Sequence, residues 1–229
     1  MQQFIDDLPV TISRKAIQNL HLRVLPDGSI QISAPRRMPM SVIAGFVREK
    51  RGWIARQQEK MAARPARTAP DYSDGQLVYL WGRAYPLRLI AASRGRFSEF
   101  TGSEILLHIH PDDGPAQREA LLNECYRQQL YAQIEQRLPY WTARTGLFPS
   151  SWQIKNMKTR WGTCNTQTKK IWLNLQLAKQ PPDGLDYVIA HELTHLRYPG
   201  HGVDFKAFLT RVYLDWPQVR KALNENTFV

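Results

Sequence analysis

The sequence predicts a mixed fold in which strands dominate up to about residue 113 and helices beyond it. Three observations carry this. Short alternating runs recur through the first half. The longest helical periodicity begins just after Asp113-Gly114. A second helical stretch, bounded by Pro181-Pro182 and Pro199-Gly200, follows a strand-like run at 170–174.

Taken in order, Val10-Thr11-Ile12-Ser13 and Leu20-His21-Leu22-Arg23-Val24 alternate, and Pro26-Asp27-Gly28 turns the second into Ser29-Ile30-Gln31-Ile32-Ser33 as a hairpin. Pro39-Met40-Ser41 opens one helix, with Val42, Ile43, Phe46, Val47, Trp53 and Ile54 at helical spacing, running to about Ala63. Arg64 to Pro70 reads as a connector. Strand-like runs follow at 77–81, 85–90, 96–100 and 105–109, and His108 and His110 share one face of the last. The long helix spans about Pro115 to Arg144, with Leu121, Leu122, Tyr126, Leu130, Ile134 and Leu138 on one side; Pro139 should kink or interrupt it. These elements divide the chain into a β-rich region at 1–113 and a second region at 114–229.

Composition is that of an ordinary soluble protein, 43% hydrophobic and 22% charged. No apolar run is long enough to span a membrane, and residues 1–10 carry Asp6 and Asp7 with no apolar core of a signal peptide. Two cysteines, Cys125 and Cys164, make no disulfide framework and point to a reducing compartment, so the cytoplasm is the expected location. Cys164 is expected to be a packed thiol. Net charge is +11, and residues 36–67 hold nine Lys/Arg against Glu49 and Glu59. Such a region is either a solvated helix face or a footprint for nucleic acid, nucleotide phosphate or an acidic protein.

The chemistry concentrates in His191-Glu192-Leu193-Thr194-His195, with His201 six residues further on. Histidines four apart on a helix lie about 40° apart around its axis, so both imidazoles can reach one ion. Neutral imidazole is a usual zinc ligand, and a catalytic site leaves a position open for water. Glu192 lies beside the first ligand, where it can act as general base. It also falls within the apolar arc of Leu185, Val188, Ile189, Leu193 and Leu196. A carboxylate facing the interior needs a nearby cation to be tolerated. Asp183 is expected as N-cap and Asp186 in the first turn. The turn at Pro199-Gly200 can bring His201 over the metal as third ligand; Asp204 competes for that place, or holds His201 from behind.

Arg160-Trp161-Gly162-Thr163-Cys164, the strand Ile171-Trp172-Leu173-Asn174, and His191 to His195 with His201 and Phe205 together closely resemble the YgjP-like metal-dependent hydrolase family. That family is grouped with the small zinc metallopeptidases and related more distantly to SprT-like and WLM domains. The Pro-Asp-Gly hairpin, Ala34-Pro35-Arg36-Arg37, Glu49-Lys50 and Trp53-Ile54 are similar in kind. The resemblance implies an α+β protein whose C-terminal portion is a minimal zincin-like core. By position it makes His191, His195 and His201 the metal ligands and Glu192 the base. Arg160 and Asn174 sit in the recurrent segments; Arg160 either stabilises an oxyanion or phosphate or anchors the strand, and Tyr198 and Tyr213 are further donors to consider.

Zinc-activated water would then attack a peptide carbonyl, with the substrate lying along a sheet edge for which Ile171 to Asn174 is the candidate. Two other readings stay open. The basic N-terminal region and Arg160 suit a nucleoside triphosphate, although no Gly-rich phosphate loop is present. A nucleic-acid-associated protein with a SprT-like or structural metal site is the third.

Overall fold

The computed structural model describes residues 2–25, 27–62 and 70–225 and shows an α+β protein. It forms two compact units, Met1–Pro70 and Asp71–Val229. Each has its own apolar core.

In the first unit, β1 (Gln2–Ile5), β2 (Leu8–Lys15), β3 (His21–Val24) and β4 (Ile30–Pro35) form a sheet in the order β1-β2-β4-β3. The expected hairpin is present as the antiparallel β3–β4 pair. Asp27 Oδ1 closes its turn, accepting from the Ser29 N–H and hydroxyl at 2.9 and 2.7 Å, and Gly28 supplies φ +79°. Pro26 and the connector residues up to Ala69 lie outside the described residues. Alternation along the strands puts Val10, Ile12, Ile30 and Ile32 on one buried face, against Ile43, Val47 and Ile54 from the helices. The single helix expected after Pro39 is two, α1 (Met40–Glu49) and α2 (Arg51–Ala62). They are divided at Lys50, which leaves helical geometry (φ −90°, ψ 3°) while its N–H still reaches the Phe46 carbonyl. Part of the basic run is neutralised here, Arg48 by Asp6, Arg51 by Asp7 and Lys50 by Glu49.

In the second unit, β5 (Leu77–Leu80), β6 (Arg83–Ala91), β7 (Phe97–Phe100) and β8 (Ile105–Ile109) pair in the order β5-β6-β8-β7. Their inward residues Leu80, Leu87, Ile105 and Leu107 share one core with Leu122, Leu130 and Ile134 of α3 (Pro115–Thr145). These strands therefore belong with the helices that follow, and the boundary between compact units falls at 70/71 instead of at 113/114. Helix α3 continues through Pro139 without interruption.

A second, three-stranded sheet has the order β10-β11-β9, from β9 (Ser151–Lys155), β10 (Gly162–Asn165) and β11 (Lys170–Asn174). A 3₁₀ turn, Leu175–Lys179, leads to α4 (Pro182–His195), followed by α5 (Val203–Val212) and α6 (Trp216–Glu225). Helix α4 is buried on most sides, with Leu185, Ile189, Ala190 and Leu193 at zero exposure. Pro181 caps it, so Asp183 lies in the first turn and is not the N-cap. Asp186 does more than meet the helix dipole. It accepts from Arg137 Nη1 at 2.5 Å and Trp141 Nε1 at 2.7 Å, fastening α4 to α3. The start of α4 is fixed from the other side by the β5–β6 turn. Trp81 and Gly82 donate to the Ala178 and Lys179 carbonyls, and a Cβ on Gly82 would come within 2.9 Å of Pro181.

Candidate metal centre

Helix α4 projects His191 and His195 from one face, and the turn at Pro199-Gly200 returns His201 to them. His191 Nε2 lies 3.2 Å from His195 Nε2 and 3.1 Å from His201 Nε2. Among the described residues no other trio of His, Cys, Asp or Glu side chains converges in this way. For nitrogens about 2.0–2.1 Å from a tetrahedral zinc, the ligand–ligand edge is about 3.3 Å. The two edges that meet at His191 match it, and all three ligand atoms lie within 4.8 Å of one another, close enough to converge on one ion. Phe205, 2% exposed, lies 4.7 to 5.0 Å from all three ring centres and holds them apart from the core.

The far side of each helical histidine is also engaged. His195 Nδ1 donates to the Tyr198 carbonyl at 3.1 Å, which leaves Nε2 with its lone pair toward the cluster. His191 Nδ1 is 3.3 Å from the Tyr187 hydroxyl. Burial, with the neighbouring His195 and His201 acting in the same direction, lowers His191 to a pKa of about 3. Burial lowers His195 as well. Both rings are thus neutral at physiological pH, the form that ligates metal.

Glu192 is 4% exposed, and its Oε2 has no hydrogen-bond partner among the described residues. Burial pushes its carboxyl up to about 8, with the positive charge of Arg160 pulling the other way. An unpartnered buried carboxylate is costly unless a cation faces it. The imidazole cluster beside it supplies the place for one. Above the carboxylate runs β10. A Cβ on Gly162 would meet Glu192 Oε1 at 2.6 Å and Val188 Cγ1 at 2.8 Å, so only glycine lets the strand approach this closely.

Asn174, 3% exposed, explains the loop before Gly162. Its Nδ2 donates to the Met157 and Arg160 carbonyls at 2.8 and 2.7 Å, and its Oδ1 accepts from the Met157 N–H at 3.1 Å. Asn174 is therefore the peg on which the Arg160 segment hangs. The Arg160 backbone belongs to that anchor, while its exposed side chain lines a cleft of about 620 Å³ together with the three histidines and Glu192.

Other expected residues lie elsewhere. Asp204 lines a separate pocket with Arg197 and Arg211. Tyr213 sits near Asp186 and Trp141, its hydroxyl pushed up to about 12 by burial. Tyr198 contributes its carbonyl to His195, and its ring packs near Phe208. His108 stacks on Phe97 at 3.8 Å and pairs with Glu99. Cys164 lines the cleft, its thiol raised to about 11 by burial and by Glu192, which keeps it protonated. The Ile171–Asn174 strand is β11, central between β10 and β9; the sheet edge in the cleft is β10, because the turn at 166–169 folds it back outside β11.

Sequence reasoning missed Tyr187 and Arg220. Tyr187 stands one helical turn before His191, a spacing that could have marked it. Arg220 reaches the cleft from α6, and no local pattern announces it. Trp161 Nε1 donates to Asn224 of the same helix at 3.2 Å, linking α6 to the loop.

Residues 18–226 match the YgjP-like metallopeptidase domain family, and the chain belongs to that family. No curated relative matches. The chain is similar to the crystal structure of the metallopeptidase zymogen of Pyrococcus abyssi abylysin, at 17% identity and a TM-score of 0.36, covering 40% of this chain and 94% of that one. No described helix is long and apolar enough to cross a membrane.

Two predictions follow from the packing around Glu192. Gly162→Ala forces β10 away from the carboxylate and destabilises the protein by about 1–3 kcal/mol in urea unfolding, whereas Gly200→Ala, with nothing within 4 Å of the new Cβ, leaves stability unchanged. The second concerns protons. Glu192 has its pKa raised from 4.5 to about 8, so the folded state holds a proton that the unfolded state releases across that window, and stability falls as pH rises through it. In chelator-treated protein, Glu192→Gln is therefore more stable than the parent by about 2–4 kcal/mol at pH 8 and no different at pH 4.5.

Proposed function

We propose that this protein is a zinc-dependent peptidase in which His191, His195 and His201 hold the metal and Glu192 is the general base. The observation that carries the proposal is the buried, unpartnered Glu192 carboxylate beside three converging imidazoles. Zinc at that position would supply Lewis acidity toward the scissile carbonyl and lower the pKa of a water. Glu192 takes the proton from that water and returns it to the leaving amine. Burial alone raises the proton affinity of this carboxyl, and a cation held by the imidazoles would lower it again, so the metal would keep Glu192 in the ionised form that accepts a proton. Arg160, on the cleft wall, faces negative charge developing on the substrate oxygen. The free edge of β10 offers backbone groups to an extended peptide in the same cleft. Free Cys125 and Cys164 fit a reducing compartment, the cytoplasm.

One observation favours a second reading. Arg160 and Arg220 both line the cleft, and Glu192 is the only carboxylate among its lining residues. Such a cationic cleft also suits the phosphates of a nucleoside triphosphate, with Glu192 directing water at phosphorus. The charge of residues 36–67 alone supports the nucleic-acid reading, and it leaves Glu192 without a role.

The test is a paired assay of zinc-loaded parent and Glu192→Gln protein on unfolded protein substrates and on the four ribonucleoside triphosphates. Peptide cleavage that falls by about 10³-fold or more in Glu192→Gln, at unchanged metal content, is the expected result. Glu192-dependent release of phosphate or pyrophosphate, without peptide cleavage, establishes the second reading instead. His201→Ala is expected to lose the bound metal; full retention would remove His201 from the ligand set.

A further inference from the structure

We propose that the first unit carries a docking groove for an extended acidic peptide, seated as a fifth strand on the free edge of β3. The inference is independent of the peptidase reading and rests on the other compact unit.

Among the described residues, the sheet order β1-β2-β4-β3 leaves β3 with a neighbour on one side only. An open edge presents backbone N–H and C=O groups to any chain that can match them, and proteins ordinarily block such edges with proline, a bulge or a covering element. Strand β3 reads His21-Leu22-Arg23-Val24 and contains no proline. Beside it lies a groove of about 700 Å³, within the size range of built ligand sites. Residues 20–23 form one wall, and Phe46, Lys50, Trp53 and Arg56 of the two helices form the other. A groove between an edge strand and a helix is the arrangement in which an added strand gains backbone bonds on one side and side-chain contacts on the other.

The chemistry of the walls selects the occupant. Trp53 is 38% exposed, and Phe46 stands seven residues before it, so the helical wall offers two aromatic surfaces to apolar side chains. Arg23 and Arg56 flank these with positive charge, and the Lys50 ammonium lies beside the Phe46 ring. The single carboxylate in the groove, Glu49, is 2.6 Å from Lys50 Nζ, and Arg23 and Arg56 make no ion pair among the described residues. The whole unit is biased the same way, with twelve Lys/Arg against five Asp/Glu over residues 1–70. Aromatic and basic groups together would also attract a single-stranded nucleic acid. The open strand edge decides for peptide, because only a polypeptide matches a strand's alternating donors and acceptors.

The experiment uses the full chain as Glu192→Gln, to prevent turnover, and fluorescence anisotropy of labelled peptides of about ten residues with alternating Val and Glu. The acidic peptide is expected to bind at least about tenfold more tightly than its Val/Lys counterpart, and N-methylation of alternate amides to weaken it by about tenfold or more. Lys50→Glu combined with Arg56→Glu should weaken it similarly, with the circular dichroism spectrum unchanged because both side chains lie on the surface. Equal affinity for the acidic and basic peptides, or indifference to N-methylation, overturns the proposal. So does tighter binding of oligothymidylate that the same charge reversals abolish, since that makes the groove a nucleic-acid site.

Discussion

The structure depends on one awkward burial, the carboxyl of Glu192 enclosed by α4 and β10 next to three imidazoles. A carboxylate in that position, without a cation, is among the least favourable groups a protein interior can hold. The surrounding fold is arranged to keep it there. Gly162 removes the Cβ that would displace it. Asn174 pegs the loop that leads into β10 by three hydrogen bonds to Met157 and Arg160. Asp186 ties α4 to the long helix through Arg137 and Trp141. Phe205 supports all three histidine rings.

These supports explain why so much of the second unit is organised around fourteen residues of α4. Both helical imidazoles are held at a second point, His195 by the Tyr198 carbonyl and His191 by the Tyr187 hydroxyl. Preorganisation of this kind lowers the reorganisation needed when metal and substrate arrive. The first unit has its own sheet, two helices and core, and most of the chain's excess positive charge lies on it.

Much of the site was legible in the sequence because its determinants are local. Histidines four apart on a helix must share a face, the Pro199-Gly200 turn must follow the second of them, and Glu192 within an apolar arc must face inward. The hairpin at Asp27-Gly28 was legible for the same reason. What was not legible depends on pairings between distant segments. That β2 runs parallel to β4, and that β11 is central while β10 is the edge, follow from long-range register that no single stretch encodes. Asp183 has the right residue type for an N-cap, yet Pro181 begins the helix earlier because the β5–β6 turn packs against it. The run from 40 to 63 kept its helical period across Lys50, so periodicity alone could not reveal the division there. Arg220 enters the cleft only through the packing of α6. Asn174 was visible as a residue of interest, but its role as the peg of the Arg160 loop needed three-dimensional geometry.

The central claim is that three imidazoles and no other side chain hold a metal next to the Glu192 carboxyl. X-ray absorption at the zinc edge, on protein loaded with one equivalent, tests it most directly. The account predicts a shell of three imidazole nitrogens completed by a light oxygen or nitrogen donor, unchanged in Glu192→Gln. A sulfur scatterer, which would bring Cys164 into the shell, or a shell with fewer than three imidazoles, would contradict it.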